Sequence, residues 1–242
     1  MKPALKLLLM VLAAGLCLQL FFVLRIASLR WIDPESTSFQ RSQIWQVWQR
    51  HGSIAWSQEW VPMARISPQL QRAVLASEDD IFAQHDGIRW DSVEKAWDRN
   101  AKAQAQAQRQ AQRGSVRTTR VVGGSTITQQ LAKNLFLSGE RTLWRKAQEA
   151  WITLWLEALL DKRRILEIYL NHVEWGEGVF GAQAAARHYF QKDAQVLVAW
   201  EAARLAVMLP RPRFYELRPQ SVYLAERADV IVQRMGSVEL PR

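Results

Sequence analysis

The stretch SPQLQRAVLASEDDIF, residues 67–82, opens with a serine followed by a proline, the order of a helix cap and a first helical position. Leu70, Ala73, Val74, Ser77 and Ile81 then recur three or four residues apart, so the segment predicts an amphipathic helix over 67–82. Glu78 stands one turn after Val74 and two turns after Leu70, which aims its carboxyl at the apolar stripe. Desolvation there, with Asp79 and Asp80 beside it, disfavours the charged form and lifts the pKa toward the range of a general base or acid near neutral pH. The bland alternative for such a pair is a solvated acidic helix end.

Outward from this helix the same periodicity predicts others at about 126–137, 142–161, 163–171, 180–189 and 196–209. The chain then turns through Pro210-Arg211-Pro212 into a last helix carrying Ala225, Ala228, Ile231 and Met235. Strand signals are few, and the expected fold class is mainly α. Toward the amino terminus, residues 7–24 read LLLMVLAAGLCLQLFFVL, with Gln19 the lone polar side chain. That run is just long enough to span a bilayer core. A cleaved signal peptide would carry a shorter apolar run and a small-residue cleavage site, which is missing here. The expected organisation is a cytoplasmic tip and transmembrane anchor at 1–30, then one domain at 31–242. Lys2 and Lys6 precede the span, while Asp33 and Glu35 soon offset Arg25 and Arg30, which puts the domain outside the cytoplasm; Trp31 suits the interface. The single cysteine, Cys17, excludes an internal disulfide framework and any multi-thiolate metal site.

The formal net charge is +9, which favours an anionic partner. Four of the positive residues lie in the anchor region. Six more, Arg99, Lys102, Arg109, Arg113, Arg117 and Arg120, share one segment without an acid among them, so the rest of the outer domain is near neutral. The tract AKAQAQAQRQAQRGSVRTTR inside that segment lacks large apolar residues and cannot bury a face, so 99–120 reads as a mobile basic loop.

Two further stretches can do chemistry. Gly123-Gly124-Ser125-Thr126 places a glycine turn and hydroxyl caps before a helix, where backbone N–H groups suit an anion. Thr126, Gln130, Lys133 and Asn134 then share one polar face, although a well-capped solvated helix has the same look, and the glycine spacing is not that of a Walker loop. Arg141, Arg145 and Glu149 recur every four residues, with Lys146 three before Glu149, so cations and a carboxylate converge on one side of a helix. This is either a set of surface ion pairs or a phosphate clamp whose carboxylate can hold Mg²⁺. The four histidines show no metal-ligand spacing, the S-x-x-K at 92–95 lacks its companion motifs and reads as chance, and Glu174 in a glycine-rich loop is a possible third acid.

In this order the segments resemble the peptidoglycan glycosyltransferases, specifically the short, monofunctional, membrane-anchored type. The resemblance rests on Glu78-Asp79-x-x-Phe82-x-x-His85-x-Gly87, on the block from Gly123 to Asn134, on Arg145-Lys146-x-x-Glu149, and on Lys162-x-x-Ile165-Leu166-Glu167-x-Tyr169-Leu170-Asn171, with Leu209-Pro210 and Arg227 as a last pattern. It implies a lysozyme-like helical domain that polymerises lipid II into glycan strands by inverting transfer, releasing polyprenyl pyrophosphate, with no transpeptidase activity. Glu78 is then the base on the acceptor's 4-hydroxyl and Glu149 the second essential glutamate. Lys133, Arg141, Arg145 and Lys146 steady the pyrophosphate, and Ser125, Thr126, Gln129, Gln130 and Asn134 line the substrate side. The implied cofactor is Mg²⁺ or another divalent cation at Glu149, with no organic cofactor. The implied partners are lipid II, the lipid-linked glycan strand, the bacterial inner membrane and other cell-wall synthesis proteins. The Ala/Gln-rich insert at 101–112 and Arg89 depart from the family pattern. Two alternatives remain beside it: a lytic glycosidase, which needs water as acceptor and no pyrophosphate clamp, and a membrane-tethered, non-enzymatic binder of nucleic acid or anionic lipid through the basic segment, nucleic acid being a partner the resemblance does not imply.

Overall fold

The computed structural model describes residues 3–54, 56–91, 124–137 and 142–241. Helix makes up 68% and strand 3% of the fold, which is therefore mainly α as expected. The basic tract at 99–120, the S-x-x-K at 92–95, Gly123 and Arg141 lie outside the described residues.

Helix α1 (Pro3–Ser28) extends the expected span at both ends, with a mean hydropathy of 2.7 in its most apolar stretch, and is long and apolar enough to cross a membrane. Its exit is fixed by the domain. Ile26 and Leu29 are buried in the domain core, Arg164 Nε donates to the Leu29 carbonyl at 2.8 Å, and the same guanidinium meets Asp33 at 2.6 Å. Phe22 packs edge-on against Phe136, with ring centroids 5.7 Å apart.

Helix α2 (Ser38–His51) was not foreseen from periodicity. Of its residues only Gln40 and Val47 are buried, and Trp45 and Trp48 stay exposed, so it shows no apolar stripe. Its ends carry the signal instead: Thr37 and Gln40 form a reciprocal capping box, and Gly52 stops the helix at φ +65°, a conformation that favours glycine. Helix α3 (Pro68–Glu78) begins at its Ser67 cap as expected but stops four residues short of Phe82. Asp79 leaves the helix in an extended conformation because its carboxylate is taken by His85 and by the distant Ile127 N–H, and Phe82–Gln84 forms a 3₁₀ turn.

The remaining helices fall close to their expected places: α4 (Ile127–Phe136), α5 (Leu143–Leu159), α6 (Lys162–His172), α7 (Ala182–Phe190), α8 (Ala199–Met208) and α10 (Val222–Met235), with a short α9 (Pro212–Glu216) between the last two. Strands β1 (Ser57–Gln58), β2 (Glu174–Gly176) and β3 (Val179–Phe180) form a small sheet in the order β1-β3-β2, β3 running parallel to β1 and antiparallel to β2. Helix α3 packs on α8 and α10, while α4 packs on α5, α6 and α2. Leu70, Leu75, Ile127, Leu131, Ile165 and Tyr169 are wholly buried where these layers meet. The C-terminal tip of α3 and the start of α4 are thereby held side by side on one rigid core.

Candidate active site

The last residue of α3 is Glu78, partly buried as its position in the apolar stripe requires. Its Oε2 accepts from Gln130 Nε2 at 2.9 Å, and its Oε1 accepts more weakly from the Ser77 hydroxyl at 3.4 Å. Burial is the largest influence on its pKa and raises it; the bonds from Gln130 and Ser77 oppose this, and the charge of Asp79 reinforces it. Tyr169 of α6 fixes the direction of the Gln130 amide. Its hydroxyl donates to Gln130 Oε1 at 3.0 Å, so the NH₂ side must face Glu78. A flipped amide would set its carbonyl oxygen against the carboxylate. Tyr169 is fully buried, and burial with the nearby charges of Glu78 and Asp79 pushes its pKa well up, so it serves as a neutral donor.

Asp79 plays a different part from its neighbour. Its buried carboxylate accepts from His85 Nε2 at 2.9 and 3.0 Å and from the Ile127 backbone N–H at 3.1 Å. His85 Nδ1 accepts from the Gly87 N–H at 3.0 Å, which leaves the ring proton on Nε2. Asp79 therefore supplies a negative charge at the N-terminus of α4, where the helix dipole favours it. Gly87 holds φ +82°, and a Cβ there would lie 2.7 Å from both Glu157 Cγ and Thr153 Cγ2. Its carbonyl accepts from the Thr126 hydroxyl at 2.5 Å.

The second cluster is on α5. Glu149 is 2% exposed, yet its oxygens are matched: Oε2 accepts from Arg145 NH1 at 2.8 Å and Oε1 from Lys146 Nζ. Lys146 Nζ also donates to the Ser125 hydroxyl at 3.1 Å. Arg145 Nε is buried and has no hydrogen-bond partner among the described residues. The expected convergence of Arg145, Lys146 and Glu149 is thus present. One short segment joins the two clusters, with Ser125 on Lys146 at its start and Gln130 on Glu78 one helical turn further in.

Other expected site residues take other places. Thr126 and Gln129 are buried and bonded to one another: the Gln129 N–H donates to Thr126 Oγ1 at 3.2 Å and the Thr126 N–H to Gln129 Oε1 at 3.0 Å. Their side chains start α4 rather than line an open face. Asn134 is buried, and Lys133 is partly buried on the same helix. Glu174, weighed as a third acid, is buried against Arg213, whose Nε donates to it at 2.7 Å; burial nonetheless raises its pKa, with Arg213 opposing. Arg89 meets Asp80 at 2.9 Å and lies 3.7 Å from Asp79.

Sequence reading did not single out Tyr169 as a site residue, nor the buried brace in which Thr128 Oγ1 donates to Glu157 Oε1 at 2.5 Å while Lys162 Nζ reaches the same carboxylate at 2.9 Å. The signal for the first is its place in the Lys162-to-Asn171 stretch on which the family resemblance rests. For Mg²⁺, the donor set is one carboxylate whose two oxygens already accept from cations, and no group of three acids, histidines or cysteines among the described residues is placed to hold a metal. These residues do not fit a protein-held divalent ion.

The arrangement offers a desolvated proton acceptor at one end and a cation-lined anion site at the other, as a reaction needs when a hydroxyl attacks and an anion departs. The sequence profile of the transglycosylase family matches residues 47–236. The biosynthetic peptidoglycan transglycosylase of Herminiimonas arsenicoxydans is 51% identical over 228 residues, 93% of this chain and 92% of the relative. The protein of the same description from Janthinobacterium sp. (strain Marseille) is 50% identical over 93% of this chain and 92% of its own length. That from Burkholderia thailandensis is 49% identical over 94% and 84%.

Proposed function

Because the chain belongs to the transglycosylase family and is a peptidoglycan glycosyltransferase that polymerises glycan strands in cell-wall synthesis, we propose that Glu78 is its general base and the Arg145–Lys146–Glu149 cluster its leaving-group site. The acceptor is the 4-hydroxyl of a lipid II sugar. Glu78 takes the hydroxyl proton, the oxygen bonds to the anomeric carbon of the lipid-linked glycan, and the bond from that carbon to the pyrophosphate oxygen breaks with inversion. The electron pair leaves on polyprenyl pyrophosphate.

Each group has a physical reason for its role. A carboxyl held partly out of water has a pKa nearer the working pH and so serves as a better base. Arg145 and Lys146 offer fixed positive charge where the pyrophosphate develops its own, and need no reorganisation as the reaction proceeds. Arg145 Nε, which has no hydrogen-bond partner among the described residues, supports an anion there. The observation that carries the reading is the Ser125–Gln130 segment, which touches the cation cluster at one end and the base at the other.

The anchor α1 supports attachment to the inner membrane with the domain on its outer face, where lipid-tailed substrates meet the enzyme at raised effective concentration. Other cell-wall synthesis proteins are the partners this placement fits, and nucleic acid is not among them. The test is to incubate the full chain with lipid II and follow both products. Glycan strands with inverted anomeric linkage and one polyprenyl pyrophosphate per bond are expected; reducing sugars formed by water attack, or retained configuration, would overturn it.

A further inference from the structure

Resting on the reading of Arg145 and Lys146 as the holders of the departing pyrophosphate, we propose that the cleft between α1 and α5 binds the polyprenyl chain attached to that pyrophosphate. The cleft encloses about 360 Å³, within the size range of small-ligand sites, between Leu18, Gln19 and Phe22 of α1 and Trp144, Ala147 and Trp151 of α5.

The cleft is built rather than incidental. A glutamine inside a membrane span is costly unless bonded, and Gln19 Oε1 accepts from Trp151 Nε1 at 2.7 Å, across the cleft from one helix to the other. This bond ties α1 to α5 directly, while Phe22 on Phe136 and Arg164 on the Leu29 carbonyl tie α1 to α4 and α6. The indoles that form its wall are left open, Trp144 at 74% and Trp151 at 48% exposure, and large apolar rings uncovered beside a cavity mark a surface awaiting an apolar partner.

Continuity with the cation cluster selects the occupant. Trp144 immediately precedes Arg145, and Ala147 immediately follows Lys146, so one turn of α5 turns its charges to the pyrophosphate and the adjoining stripe to the cleft. An anion held by Arg145 and Lys146 therefore hands its own hydrocarbon tail to the cleft at once. A bilayer phospholipid can enter the same apolar space but has no diphosphate to place on those two cations.

The test uses the full chain in lipid nanodiscs and a polyprenyl pyrophosphate carrying a photoreactive diazirine on the isoprene nearest the phosphate. Adducts are expected within 18–22 and 144–152, and they are expected to be lost in excess unlabelled polyprenyl pyrophosphate but kept in excess phosphatidylglycerol. Adducts spread along α1, or equal competition by phosphatidylglycerol, would overturn the proposal. Ala147→Trp fills the cleft without touching a charged group. It should lower the ratio of kcat/KM for long-chain over short-chain lipid donors by about tenfold, and an unchanged ratio would also overturn the proposal. Wild-type labelling decides the matter even where that variant does not fold. Polymerisation by the wild type in the same nanodiscs separates the two readings, since normal strand synthesis with adducts elsewhere removes the cleft and leaves the base and the clamp standing.

Discussion

At the tip of α3 one glutamate meets two neutral donors, Gln130 and Ser77, whereas on α5 another glutamate meets two cations, Arg145 and Lys146. Both are withdrawn from water, so burial alone does not decide what a carboxyl does. Glu78 receives too little hydrogen bonding to cancel its desolvation and holds a proton more readily than an ordinary carboxyl. Glu149 has its charge matched on both oxygens and serves to hold two side chains in place. One group is poised to exchange a proton, and the other organises positive charge.

The largest expected effect separates these roles by activity and stability together. Glu78→Gln should lower kcat/KM for lipid II polymerisation by about 10³-fold, within the range for a lost general base. It should also raise the melting temperature at neutral pH. The sign follows from linkage: with the folded-state pKa above the ordinary 4.5, the folded protein binds the proton more tightly than the unfolded chain. Its stability contribution is therefore full below about pH 4.5 and is lost as pH rises through the folded pKa. A glutamine avoids that loss, so the gain should fade in acid. Calorimetry of both proteins from pH 4 to 8 reads it.

Next in size, Arg145→Ala should cost about 10²-fold in turnover, as when one fixed donor to a developing anion is removed. Glu149→Gln should move stability the opposite way from Glu78→Gln. It leaves two neighbouring cations without their shared partner and should cost up to about 3 kcal/mol, discounted because Lys146 is nearly half exposed. Each kcal/mol is worth about 2–4 °C of melting temperature in a domain of this size. If both glutamine variants shift the melting temperature in the same direction, the contrast between the clusters is lost.

Smaller again, Gly87→Ala should destabilise by about 1–2 kcal/mol from its left-handed φ alone, with crowding of Glu157 and Thr153 added. Because the Gly87 carbonyl holds Thr126, the start of α4 should loosen, which hydrogen exchange at Ile127 and Thr128 would register. Tyr169→Phe is the mildest. It removes a bond worth about 1 kcal/mol and frees the Gln130 amide to turn away from Glu78. The acid limb of the pH–rate profile should then move to higher pH, which a merely structural tyrosine would not cause.

The sequence made legible what depends on local spacing. The Ser67-Pro68 start, the apolar stripe of α3 and the aim of Glu78 all follow from positions within a few turns, as does the meeting of Arg145 and Lys146 on Glu149. What it hid depends on partners far along the chain. The early end of α3 follows from Asp79 finding the N–H of Ile127, 48 residues away, and the orientation of Gln130 follows from a tyrosine 39 residues on. Thr126-x-x-Gln129 shows how one pattern carries two meanings. The sequence offers Thr126 as a hydroxyl cap, the family resemblance puts both residues on the substrate side, and the fold uses both side chains in a capping box that begins a helix. Helix α2 escaped because its capping signals came without an apolar stripe.

The central claim is that a carboxyl raised by burial accepts the proton of the attacking sugar. The most direct measurement is kcat/KM for lipid II polymerisation from pH 4 to 9, in the wild type and in Glu78→Gln. The wild type should lose activity on the acid side through a single protonation lying above the ordinary carboxylate range, and the residual activity of Glu78→Gln should lack that limb. A wild-type limb that persists unchanged in Glu78→Gln, or a Glu78→Gln rate equal to wild type, would contradict it.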